Sequence, residues 1–147
     1  MSGSIQSVAV IGSGVMGAGI AAHCANAGCK VLLLDIAKEG DDRSVIAKTA
    51  VEQMAKANPE MLMHKRNAKL ISSGNIEDDL DKLSEVDWVI EVIIENLDIK
   101  RKLYASMSEH LGPRTIVSSN TSTLPLSELV EGMSSEMASR FLITHFF

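Results

Sequence analysis

At 147 residues, with 46% apolar and 22% charged side chains and a formal charge of -5, the chain has the composition of one globular domain that can bury a core without disulfides or metals. The acidic balance gives no reason to expect nucleic acid as a partner, and Gly, Asp, Glu or Lys interrupts every apolar run well short of a bilayer's thickness. The first basic residue is Lys30, so the start lacks the positive region of a secretory signal and the arginines of a transit peptide, and a cytoplasmic location without a membrane partner is the expectation.

Val8–Ile11 and Val31–Leu34 are short unbroken apolar runs, the pattern of strands covered on both faces, and the small-residue segment from Gly14 to about Ala27 predicts a helix between them. This is a βαβ unit. Asp41 and Asp42 are placed to cap a following helix that carries Val45, Ile46, Thr49, Ala50 and Met54 and stops before Pro59. A second helical stretch from about Pro59 to Leu70 would complete a hairpin, with Ser72-Ser73-Gly74-Asn75 closing it as a turn and Ile76 marking a short strand. Trp88–Val92 reads as a strand, Leu97–Leu111 as a helix ended by Gly112-Pro113, and Thr115–Ser118 as another strand. A loop and a short helix then lead to a last strand, Phe141–Thr144. The expected fold is α/β: a Rossmann-type doubly wound parallel sheet of about six strands, with a helical hairpin inserted after the second. Cys24 and Cys29 straddle a helix end without metal or redox spacing and read as small core hydrophobes.

The strongest chemical signal is "VIGSGVMGAGIAAHCANAG", where Gly12, Gly14 and Gly17 form GxGxxG between a strand and a helix. Gly12 allows a tight turn, Gly14 lets a pyrophosphate approach the backbone, and Gly17 with Ala18 and Ala21 lets the helix press onto the strand. The phosphates would lie on the helix N-terminus, where free N–H groups and the dipole favour anions. Asp35 ends the second strand, where a carboxylate can accept from both ribose hydroxyls while repelling a 2′-phosphate. NAD is therefore expected over NADP.

Three polar clusters follow successive strands at their carboxyl ends, the edge at which open α/β sheets bind ligands: Glu95-Asn96 with Lys100, Ser119-Asn120-Thr121-Ser122, and His145. His23, His64 and His110 read as surface or packing histidines, and Lys48, Lys56, Lys65, Arg66 and Lys69 as a solvated basic face that could also meet a polyanionic substrate. No metal site is expected.

Taken together, "IGSGVMGAGIA", "EVIIENLDIK", "SSNTSTLPL" and "THFF" resemble the NAD-binding domain of the 3-hydroxyacyl-CoA dehydrogenases of fatty-acid β-oxidation, over most of the chain. The resemblance implies oxidation of an L-3-hydroxyacyl-CoA to the 3-ketoacyl-CoA with NAD. It implies that Gly12, Gly14, Val15, Met16 and Gly17 carry the coenzyme phosphates, that Asp35 with Ile36 holds the adenosine, and that Glu95, Lys100 and Asn120 lie along the nicotinamide side. His145 would be the catalytic base, Ser122 would bond the substrate's 3-oxygen, and Asn120 would complete the catalytic set. An imidazole that titrates near neutrality suits that role, as does a hydroxyl donor beside it. The resemblance also implies an acyl-CoA substrate and, for full-length members, a homodimer.

In the family, "HFF" runs on through Asn-Pro to a glutamate that orients the histidine and then to a helical domain that completes the acyl pocket. Residues 1–147 therefore resemble a dinucleotide-binding domain without that C-terminal helical domain, expected to be nearly inactive alone and to expose an apolar surface around Phe146 and Phe147. A stand-alone dinucleotide-binding or interaction module without catalysis is the alternative. Family residues that hold coenzyme A do not align convincingly, and none is transferred.

Overall fold

The computed structural model describes residues 3–147. Its strands are β1 (Ser7–Ile11), β2 (Lys30–Asp35), β3 (Ile71–Asn75), β4 (Trp88–Glu91), β5 (Ile116–Ser119) and β6 (Phe141–Ile143). All pairings are parallel, in the order β3-β2-β1-β4-β5-β6. This is the doubly wound Rossmann-type sheet that the alternation of strands and helices predicts.

Parallel strands need helical crossovers, so both faces of this sheet must be apolar. Val8, Val10, Val31, Leu33 and Ile90 point to one face and are covered by α1 (Val15–Asn26) and α2 (Val45–Lys56). Their chain neighbours Ala9, Ile11, Leu32, Leu34 and Val89 point to the other, under α3 (Leu97–Ser108), α4 (Leu126–Leu129) and α5 (Ser135–Ala138). Large side chains such as Leu83 and Met107 are fully buried in the second layer, each contributing roughly 1.5–3 kcal/mol. Cys24 belongs to the first layer as expected, its thiol pushed up to about 11 by burial and then by neighbouring Cys29.

The insertion after β2 differs from the sequence reading. Ser72-Ser73-Gly74-Asn75 is not a turn but most of edge strand β3, paired with β2 from Val31↔Ile71 to Asp35↔Asn75. Tertiary surroundings override the turn residues here. A Cβ on Gly74 would lie 2.5 Å from Asp79 Oδ2 and 2.9 Å from Leu34 Cδ2, so a side chain there would have to displace both, and buried Asn75 donates from Nδ2 to Ser44 Oγ and Asp78 Oδ2, each at 3.0 Å.

The second arm, expected as helix over 59–70, is helical only as a 3₁₀ segment, Lys65–Leu70. Asn26, the last residue of α1, explains the rest: its Nδ2 donates to Met61 O at 3.0 Å, while its Oδ1 accepts from Met63 N at 2.9 Å and Asn67 Nδ2 at 3.1 Å. Backbone groups spent on Asn26 are lost to helix hydrogen bonding. The start of α2 also departs from the expected cap, since Asp42 Oδ1 accepts from Ser44 N rather than from inside the helix and its other oxygen pairs with Lys48 at 2.7 Å.

Asn26→Ala should cost about 1–3 kcal/mol, because three bonds to one partly buried side chain vanish together. Urea unfolding will read the loss, and limited proteolysis should nick within 59–67 before the sheet opens. Wild-type stability in the variant would show that the 59–67 segment is held by something other than Asn26.

Candidate functional site

Strand order reverses direction at β1 and β4, and the crevice beyond their carboxyl ends is the ligand edge of such a sheet. β1 enters it through Gly12, at φ 108, where a Cβ would lie 2.4 Å from Val92 O. α1 packs against this turn so closely that a Cβ on Gly17 would lie 1.7 Å from Gly12 O. Above Gly14 the structure is open, with nothing within 4 Å of a Cβ built there. Gly14 is also the N-cap of α1, with no side-chain cap and no acidic residue in the first turn. A helix start with bare N–H groups and free space in front of it suits a phosphate, so the cradle fits the pyrophosphate of a dinucleotide.

Asp35, at the end of β2, is half-buried, and Ile36 beside it is 60% exposed. Asp35 Oδ2 accepts from the Ser13 backbone N–H at 2.6 Å and from the Ser13 hydroxyl, and Oδ1 accepts from Ile36 N at 2.7 Å. The carboxylate is thus fixed to the glycine turn, with lone pairs left for hydroxyl donors. Ser13 was not singled out in the sequence, although it sits inside the motif.

Beyond the turn lies an open cleft of about 600 Å³. It gathers Gly14, Val15, Met16 and Gly17 from the elbow with Glu95, Lys100, Asn120, Ser122 and His145 from the three polar clusters. Asp35 and Ile36 stand apart, on the β2 side of the elbow. Ser122 and His145 are exposed. Asn120 is half-buried, and its Oδ1 accepts from Phe146 N at 2.7 Å, so it also fastens the segment after β6. Glu95 accepts from Thr121 Oγ1 at 2.6 Å, which ties the loop after β4 to the loop after β5. Of the two phenylalanines expected to be bare, Phe147 is fully exposed, whereas Phe146 is partly covered by Trp88, with ring centroids 6.4 Å apart.

Lys100 lines the cleft without being a free surface cation. Its side chain is 2% exposed, and Nζ lies 2.6 Å from Glu91 Oε1, 3.4 Å from Ile93 O and 4.0 Å from Glu95 Oε1. Glu91 is wholly buried at the end of β4 and accepts from four donors: Lys100 Nζ and Ile93 N on Oε1, Tyr104 and Ser119 hydroxyls on Oε2, at 2.6–2.7 Å. Burial, and then the Glu91 charge, push the Tyr104 phenol above its ordinary value, so it remains a donor. Sequence reasoning missed Glu91, Tyr104 and Ser119. The available signal was a glutamate inside an otherwise apolar buried strand, which has to find partners.

The family model for the "3-hydroxyacyl-CoA dehydrogenase, NAD binding domain" matches residues 7–147. A probable 3-hydroxyacyl-CoA dehydrogenase of Deinococcus radiodurans is 49% identical over 144 residues, 97% of this chain and 42% of the relative. One from Bacillus subtilis is 45% identical over 158 residues, 97% of this chain and 20% of the relative. The chain therefore spans between a fifth and under half of the length of these relatives. Among solved structures, the 3-hydroxybutyryl-CoA dehydrogenase of Escherichia coli superimposes with a TM-score of 0.81 at 30% identity, covering 98% of this chain and 30% of that one. The (S)-3-hydroxybutyryl-CoA dehydrogenase of Ralstonia eutropha gives 0.78 at 31% identity, covering 98% of this chain and 50% of that one.

The elbow separates two effects of adding one methyl group. Gly17→Ala forces a backbone clash and should destabilise the chain by about 1–3 kcal/mol, whereas Gly14→Ala should unfold like wild type and bind NADH roughly tenfold more weakly. Thermal melts and NADH fluorescence titration check the pair; equal melting points for the two variants would contradict the geometry. Asp35→Ala should weaken NADH by more than it weakens NADPH, and equal weakening of both would remove the carboxylate from the ribose site.

Proposed function

The chain belongs to the 3-hydroxyacyl-CoA dehydrogenase NAD-binding domain family, and from that premise we propose that it carries the coenzyme-holding part of an NAD-dependent L-3-hydroxyacyl-CoA dehydrogenase. The observation that supports this most is the convergence of the elbow, Lys100, Asn120, Ser122 and His145 on one cleft, with Asp35 on the far side of the elbow. Bound NAD supplies the acceptor for the hydride that leaves C3 of the substrate.

The chain's own residues do the remainder. Asp35 accepts from the ribose hydroxyls and opposes a 2′-phosphate, while the N-terminus of α1 neutralises pyrophosphate charge. His145 takes the proton of the 3-hydroxyl as the C3–H bond breaks with its electron pair and C3–O becomes a carbonyl. Ser122 donates to the 3-oxygen and steadies charge that develops there. Glu95, tied to Thr121, keeps the loops after β4 and β5 in register on the nicotinamide side. The acyl pocket is proposed to be completed by a helical domain outside these residues, with dimeric assembly as in the family. Fatty-acid oxidation is suggested by the name of a Rickettsia felis relative, a putative fatty acid oxidation complex trifunctional enzyme, 49% identical over 148 residues.

The test has two arms. Fluorescence titration should find NADH bound and NADPH at least about tenfold weaker; no binding of either coenzyme to folded chain would overturn the proposal. In the protein that carries this chain, His145→Ala should keep NADH affinity and lower turnover of 3-hydroxybutyryl-CoA by about 10²–10⁴-fold. Undiminished turnover would take the base role away from His145.

A further inference from the structure

Nothing in the catalytic scheme uses Glu91, yet it is the most heavily bonded side chain near the cleft. We propose that Glu91 is the positioning residue for the nicotinamide half of the coenzyme site. It fixes Lys100, and through Lys100 the charge presented to the cleft, while leaving the adenosine half untouched. The inference rests on the dinucleotide reading above.

Geometry makes the argument. Strands lie about 4.8 Å apart, so the carboxyl edge works as a ruler. Asp35 marks β2, the elbow β1, Glu91 β4 with Lys100 of α3 bonded to it, Asn120 and Ser122 the loop after β5, and His145 the segment after β6. A dinucleotide that begins at Asp35 and crosses the elbow reaches Lys100 with its second half. Lys100 has three N–H bonds. One goes to Glu91 at 2.6 Å and a second makes a long contact with Ile93 O at 3.4 Å, while Glu95 at 4.0 Å is beyond hydrogen-bond range. The third has no partner within hydrogen-bond range among the described residues, and Lys100 lines the cleft although its side chain is only 2% exposed.

A flexible four-carbon lysine would ordinarily swing through many rotamers, and holding it costs entropy. Glu91 removes that freedom. Its own orientation is set from behind by Tyr104 and Ser119, one on α3 and the other on β5, and from the chain beside it by Ile93 N. The carboxylate therefore ties α3 to β4 and β5, two strands already paired with each other in the sheet.

The experiment compares NADH with ADP-ribose, which lacks the nicotinamide ring, by calorimetry on the chain. Wild type should bind both. Glu91→Gln should weaken NADH about tenfold and ADP-ribose by less than about twofold, and Lys100→Met should do the same. The double variant should be no worse than either single one, because both act through the same N–H. Tyr104→Phe and Ser119→Ala keep the buried pair, and they carry the test if Glu91→Gln does not fold. Each should weaken NADH about threefold with ADP-ribose unchanged. Equal losses for the two ligands would make the network merely structural, and unchanged NADH affinity in the folded variants would leave Glu91 without this role; either result overturns the proposal. Wild type that binds neither ligand would instead overturn the dinucleotide reading itself.

Discussion

The absence of a side chain at residue 17 is the condition on which this site is built. A Cβ there would stand 1.7 Å from Gly12 O, well inside contact distance, and Gly12 in turn leaves no room for a Cβ beside Val92 O, 2.4 Å away. Three segments, the end of β1, the start of α1 and the chain leaving β4, are thereby brought closer than side chains normally allow. Two consequences follow for function. The axis of α1 is aimed at the crevice where the strand order reverses, and its unsatisfied N–H groups face open space rather than another element.

On the far side of the crevice, a buried ion pair adds to the apolar packing of α3 on the sheet. The Glu91–Lys100 pair differs in kind from the surface pairs of Arg43 with Glu77 and Asp78, whose side chains are 43–62% exposed. Surface pairs contribute little, because water and salt screen them and side-chain entropy opposes them. A buried pair gains its value from completeness: every lone pair that burial strips of water has to be met by a donor, and Glu91 meets four. Among the described residues no buried side-chain nitrogen or oxygen is left without a partner, which is what an interior polar network needs if it is to specify one arrangement.

Most of the architecture was legible because its signals are local and repeated. Val8–Ile11 and Val31–Leu34 are continuous apolar runs, and only strands covered on both faces demand them; the glycines at 12, 14 and 17 carry their spacing in the chain itself. What resisted reading is set by distant partners. Ser72–Asn75 has turn residues, yet it becomes a strand because β2 offers an edge to pair with, and Gly74 sits where a Cβ would crowd Asp79 and Leu34. The stretch after Pro59 has helical spacing, yet its backbone is claimed by one asparagine more than thirty residues earlier in the chain. Within the site, the motif positions and the cleft-lining residues could be named from their places after strands, whereas the bonds of Asp35 to Ser13 and of Lys100 to Glu91 could not. Sequence shows which groups are present at an edge, but which of them spend their hydrogen bonds on one another depends on side-chain orientation.

Along the carboxyl edge, the groups proposed to hold coenzyme are each hydrogen-bonded to a neighbour. Groups assigned to holding are themselves held: Asp35 by Ser13, Lys100 by Glu91, Glu95 by Thr121, Asn120 by the backbone of Phe146. The two assigned to reaction, Ser122 and His145, are exposed. Preorganised donors and charges lower a barrier because they need not reorient as charge moves, so rigidity belongs at the coenzyme end. A proton-transfer group has to meet a substrate that arrives and leaves, and its final alignment commonly tightens only once the partner surfaces close around it. Hydrogen-bonded groups after β2 and β4 with exposed Ser122 and His145 beyond β5 are therefore the distribution that the proposed division between holding and reacting groups requires.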